Sequence, residues 1–154
     1  MMKLFFAIAA LLSPMAAHAA NDVSLTSSVF VEKTIAQPNG TTRLVLEEPR
    51  VVVPGDRLVF VLAYKNMGTK PATDFVVTNP MPGQVAFQGA ADTGSVVSID
   101  GGRNWGALPA LKVRKADGAM RAALPEDVTH VRWAMKAPIP VGQTGKLSFR
   151  GIVK

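Results

Sequence analysis

The chain has 154 residues, 48% of them hydrophobic and 18% charged; that length suits one domain, and so apolar a composition excludes a disordered chain. It has no cysteine, which excludes disulfide frameworks, thiolate metal sites, cysteine nucleophiles and an acylated N-terminal cysteine together. The formal net charge is +6, from 17 basic and 11 acidic residues, a balance that favours anionic partners.

Residues 1–19 read as a signal peptide. Lys3 forms a short positive region, residues 4–12 are an unbroken apolar run, and Ala17-His18-Ala19 supplies the small-x-small cleavage pattern. The run is too short for a membrane-spanning helix, which needs about 20 residues. The expectation is cleavage after Ala19 and export to the periplasm, cell surface or medium, with residues 20–154 as one β-sandwich domain. His130 is then the one histidine left, and no second hydrophobic span or C-terminal anchor is expected.

In the mature chain, Val23, Leu25, Ser27, Val29 and Val31 alternate with polar residues, Phe30 excepted, as a half-buried strand does. Pro38-Asn39-Gly40 predicts a turn, residues 42–46 a second extended run, and Pro54-Gly55-Asp56 another turn. Residues 57–65 are apolar in both phases, which predicts a central strand. Short strands follow at 74–78, 85–88 and 95–100, with Asp100-Gly101-Gly102 as a hairpin tip. Residues 121–124 offer the one place for a helical turn, limited by Pro125. Further alternation marks 111–114, 130–136 and 146–154. Eight to ten short strands, 13 glycines and 11 prolines, with no long helical period, predict an all-β fold: an antiparallel sandwich, with a closed barrel as the alternative.

The pattern Val53-Pro54-Gly55-Asp56-x-Leu58-x-Phe60-x-Leu62-x-Tyr64-x-Asn66-x-Gly68, followed by Asp74-Phe75-Val76-Val77-Thr78-Asn79-Pro80, continues through 97–102 and 127–133. Over residues 42–153 the chain thereby resembles a conserved repeat domain of unknown function found in bacterial and archaeal surface proteins. The resemblance implies an immunoglobulin-like sandwich in an exported protein, commonly a stalk or spacer, and brings no catalytic residues. Here it covers a single copy.

Individual residues offer little chemistry. Asp100 and Asp92 sit beside glycines as calcium-binding carboxylates do, but oxygen donors are too sparse for such a loop, and turn-building is the expectation. His130 stands without a second nitrogen ligand, and adjacent Glu126 and Asp127 would face opposite ways in an extended chain. Neither catalytic residues, nor a metal, nor a cofactor are expected. Tyr64 and Trp133 lie in apolar phases and are expected in the core, which leaves Trp105, on a loop, as the candidate for stacking on a ligand.

Charge is distributed unevenly: residues 101–154 carry ten basic and three acidic side chains. Lys112, Arg114, Arg132, Lys136, Lys146, Arg150 and Lys154 share the outward phase of their strands and form a candidate polyanion-binding face if those strands share a sheet. Without an aromatic ladder, and in an exported protein, nucleic acid is not expected. The expected partner is an envelope or extracellular polyanion, a polysaccharide or another surface protein. Residues 22–32, an N-terminal strand set off by a turn, are expected to close the chain's own sheet, with self-assembly as the alternative, since the same strand can pair with a neighbour's open sheet edge. The sequence therefore predicts a non-enzymatic surface or structural module of the cell envelope. The alternatives are a strand-exchanging filament subunit and a carbohydrate- or polyanion-binding module.

Overall fold

The computed structural model describes residues 22–154; the expected signal peptide and its cleavage site lie outside the described residues. Five strands make the larger sheet: β1 (Val23–Ala36), β2 (Thr42–Glu47), β3 (Arg57–Asn66), β5 (Val85–Ala90) and β10 (Thr144–Val153), in the order β2-β1-β3-β10-β5. The smaller sheet has the order β4-β9-β6, from β4 (Val76–Pro80), β6 (Ser95–Ser98) and β9 (His130–Ala134). A separate hairpin pairs β7 (Lys112–Arg114) with β8 (Met120–Ala122). Every strand pairing is antiparallel. The fold is an all-β sandwich, and because both main sheets end in edge strands no barrel closes.

Alternation explains which residues meet between the sheets. Phe60, Leu62, Leu147 and Phe149 of the larger sheet are buried against Val77, Val97, Val131 and Trp133 of the smaller one. Phe149 is 1% exposed and Trp133 2%, with ring centroids 6.0 Å apart. Strand β3 lies between β1 and β10, as its two apolar phases predict.

The structure moves some boundaries. Strand β1 runs on to the turn before Gly40, whose N–H donates to the Gln37 carbonyl (3.0 Å) and whose φ is +79°. β4 starts later than predicted and includes Pro80, which an edge strand tolerates because no ladder partner needs its missing N–H. Residues 120–122 are strand rather than helical turn. Arg121 is held there by two bonds to Asp127 (2.6 and 2.7 Å), which sits in the 3-10 turn Pro125–Asp127.

Buried Asn66 ties three segments at one end of the sandwich. Its Nδ2 donates to the carbonyls of Lys70 (2.9 Å) and Ile139 (2.8 Å), and its Oδ1 accepts the Gly68 N–H (2.9 Å). At the other end the Gly55 N–H donates to the Val153 carbonyl, and Asp56 Oδ2 accepts the Val53 N–H (2.9 Å).

Candidate functional site

The loop between β6 and the β7–β8 hairpin is built by its own side chains. Val97 and Gly106 exchange both backbone hydrogen bonds (2.9 and 3.0 Å) and close it. Inside, Asp100 Oδ1 accepts from the Ser98 hydroxyl (2.8 Å) and from the N–H groups of Arg103 (3.1 Å) and Asn104 (2.9 Å), while Oδ2 accepts from Asn104 Nδ2 (2.7 Å). The Asn104 donors, backbone first, together with Ser98 hold the Asp100 carboxyl well below the usual carboxylate range. Gly101 and Gly102 both take positive φ, +76° and +90°, which side chains resist. The turn-building reading of Asp100 is what the structure shows, whereas Asp92 accepts the N–H of Ser148 on β10 (2.7 Å) and so ties its loop to the neighbouring strand rather than building its own turn.

This loop carries Trp105 to the outer face of the smaller sheet, its Nε1–H donating to the Gly102 carbonyl (3.0 Å). Because Trp133 of β9 points into the core, Arg132 beside it points out. Its guanidinium carbon lies 3.7 Å from the Trp105 ring centre, within cation–π range, and its Nε donates to Thr78 Oγ1 (3.1 Å) on β4. His130, two residues back and on the same face, meets the Trp105 ring edge-on at 6.3 Å and 76°. Among the described residues no carboxylate pairs with Arg132. The result is a guanidinium fixed in direction by a ring and a hydroxyl, with donors left for a ligand.

The other candidate cations do not gather around it. Lys146 and Arg150 lie on the outward side of β10 in the other sheet, so they face the opposite way from Arg132. Arg150 is also occupied, its Nε donating to Glu32 Oε2 (3.2 Å). Lys112 and Arg114 project from the β7–β8 hairpin, Lys136 follows β9, and Lys154 ends the chain. The seven occupy three sheets' worth of surface and make no single face, because the condition that their strands share a sheet is not met. Trp105 is half-buried, with Arg132 over its ring and His130 against it, so only the remaining exposed part of the indole is open to a ligand.

The pairing of Arg132 with Trp105 has no sequence signal, since it depends on β6 lying beside β9, with Val96 opposite Arg132 and Ser98 opposite His130. Glu126 and Asp127 do not form an acid–base pair: both Asp127 oxygens bind Arg121. Among the described residues no group of three or more His, Cys, Asp or Glu side chains is gathered for a metal. Residues 23–32 pair along their length with β3, from Val23 opposite Asn66 to Glu32 opposite Arg57. No family model, curated protein or solved structure matches this chain.

Proposed function

We propose that this protein is a non-enzymatic, exported module of the cell envelope that works through its surface, and that the Trp105–Arg132–His130 cluster binds an acidic envelope polysaccharide. The observation that carries the reading is the Arg132 guanidinium, stacked at 3.7 Å on an aromatic ring and without a carboxylate partner among the described residues. Such a group keeps donors for carboxylate or sulfate oxygens and has already lost much of the rotamer freedom that binding would otherwise remove. The indole edge and the His130 ring add apolar surface for a sugar ring. The signal-peptide pattern and the resemblance to surface-protein repeats support the envelope setting.

Titration with a polyuronate, followed by Trp105 fluorescence and calorimetry, tests this. The expected result is binding to the polyuronate but not to a neutral dextran, weakened steeply by salt because exposed charges are screened beyond about 8 Å at physiological ionic strength. Arg132→Ala should lower the affinity roughly tenfold or more, in keeping with loss of a charge-assisted contact. Equal binding of neutral and acidic polymers, or binding indifferent to Arg132→Ala, would overturn the reading.

A further inference from the structure

The β1–β2 ribbon is the least completed part of the fold. Strand β3 pairs with β1 only as far as Glu32, whereas β2 pairs with residues 31–36. Beyond Glu32 the ribbon is therefore two strands wide, and a two-stranded ribbon is marginal in water by itself. It nonetheless carries exposed or half-exposed apolar side chains on both faces, among charged and polar ones. Leu44 and Leu46 are 62% and 51% exposed on one side, and Ile35 is 43% exposed on the other, where Val45 is half-buried.

Among the described residues, strand β2 is also a sheet edge without a bulge or proline. At the opposite end of the same sheet, the register shift between Arg150 and Gly151 and the +122° φ of Gly89 disturb β5, as bulges at edges do. β2 has an uninterrupted register and no proline. The direction of its free groups follows from the turn. Gln37 N–H donates to the Thr41 carbonyl (2.8 Å), and Ile35 opposite Arg43 and Lys33 opposite Val45 continue that phase. Odd-numbered β2 residues thus turn their N–H and C=O groups to β1, and Thr42, Leu44 and Leu46 turn theirs to the open side.

We propose that this edge is an interface with a second copy of the same chain, formed by antiparallel β2–β2 pairing about a two-fold axis normal to the sheet. Such an axis keeps the same face up in both copies, so residues of equal parity meet. Two registers join the free groups over most of the strand. One sets Leu44 opposite Leu44 and leaves Arg43 facing Val45. The other sets Leu44 opposite Leu46, Val45 opposite itself, and Arg43 opposite Glu47 of the second copy, twice over. Charge complementarity selects the second. Arg43 has no ion-pair partner among the described residues, and Glu47 has only Lys33, at its Oε2, which leaves Oε1 to accept. The larger sheet then runs unbroken through both copies and sets Leu44 and Leu46 of each beside those of the other, which removes part of their exposed surface from water. This inference is independent of the polysaccharide reading.

Because the chain lacks cysteine, Val45→Cys reports the register directly. Val45 would face its own copy as a non-hydrogen-bonded pair with Cα atoms about 4.5 Å apart, a separation a disulfide spans. The expected result is a concentration-dependent dimer in sedimentation equilibrium and a covalent Val45→Cys dimer on mild oxidation, formed faster than with a Gln88→Cys control. Arg43→Glu and Glu47→Arg should each be monomeric alone, since like charges then face each other, and should dimerise when mixed. A folded protein that stays monomeric at its highest soluble concentration, or Val45→Cys that cross-links no faster than the control, overturns the proposal. So does dimerisation that neither charge variant weakens. Pairing of this edge with a different protein while the chain itself stays monomeric overturns it as well.

Discussion

Phe60 and Phe149 face each other across β3 and β10 as a register pair, with ring planes parallel to within 1° and centroids 4.5 Å apart. Trp133 of the opposite sheet closes on Phe149 at 6.0 Å, so three aromatic rings form the centre through which the two sheets are joined.

The first prediction concerns that centre. Trp133→Ala should destabilise the fold by about 3–5 kcal/mol, the usual range for a buried aromatic. The Trp133 indole Nε1 has no hydrogen-bond acceptor among the described residues, so replacing the ring without its N–H removes little besides volume. Trp133→Phe should therefore cost only about 1–2 kcal/mol. Trp105→Ala, at a half-exposed ring, should cost about 1 kcal/mol. Urea unfolding of the three variants checks the order; similar costs at Trp133 and Trp105 would show that Trp133 is not the joint between the sheets.

Asn66 leads to the second prediction. Its side chain satisfies two carbonyls and one N–H in a site that is 1% exposed. Asn66→Ala leaves those groups without partners where water does not reach, and should cost about 2–4 kcal/mol. Asn66→Asp should be no better at neutral pH, because a carboxylate turned toward two carbonyl oxygens has nothing to donate. Unfolding midpoints at pH 7 are the measurement, and a midpoint unchanged in Asn66→Ala would show that water replaces the amide.

Strands were legible in this sequence where apolar and polar residues alternate, as at 130–133, because period-two patterning reflects burial on one side of a sheet, and at 57–65, where apolar residues in both phases mark a strand covered on both sides. Several turns were legible for a local reason too: Gly40, Gly55 and Gly101 all take the positive φ expected of turn glycines. The partners of each strand were not legible. Arg132 and Trp105 are named separately by their types, yet their stacking exists only because β6 and β9 are neighbours. Lys146 and Arg132 share an outward phase, but the sheet order turns that phase to opposite sides of the molecule. The edge at β2 was hidden for the same reason, since residues 42–46 read as one more extended run and nothing local says that a strand lies outermost. The motif residues Gly55, Asp56, Asn66 and Gly68 prove to be turn and tie positions, so they carry information about the scaffold rather than the site.

Gly145 illustrates a contact that composition reads only as punctuation, and it supplies the third prediction. It lies opposite Tyr64 in the β3–β10 pairing, and a Cβ at this position would run into the Tyr64 ring. The ring crosses the bare glycine backbone and reaches Phe75, 6.3 Å away by centroids. Gly145→Ala should therefore cost about 1–3 kcal/mol through overpacking. In a Tyr64→Ala background the same change should cost far less, because the obstructing ring is gone. A double-mutant cycle measures that coupling; additive costs would mean that the glycine is needed for backbone freedom and not for the ring.

The last prediction is the acid dependence of stability. Asp127 is held below the usual carboxylate range, first by its two bonds from Arg121 and further by the Leu124 N–H, with its partial burial opposing. Asp100 is lowered by Asn104 and Ser98. For both, the folded state binds its proton less readily than the unfolded chain, whose aspartates titrate near 3.9. Their stabilisation is thus fully present above that value and is lost as pH falls through the folded-state value. At pH 7, Asp127→Asn should lower the urea midpoint, since the ion pair with Arg121 becomes a neutral contact, and Asp100→Asn should lower it through weaker bonds to the Arg103 and Asn104 N–H groups. Repeating the unfolding at steps below about pH 4 should show each deficit shrinking, because the unfolded wild-type chain takes up protons first and the folded carboxylates follow at lower pH, so the advantage of the charged form is lost. A deficit that stays constant down to acid pH would mean that geometry alone, and not carboxylate charge, holds the loop at Asp100 and the turn at Asp127.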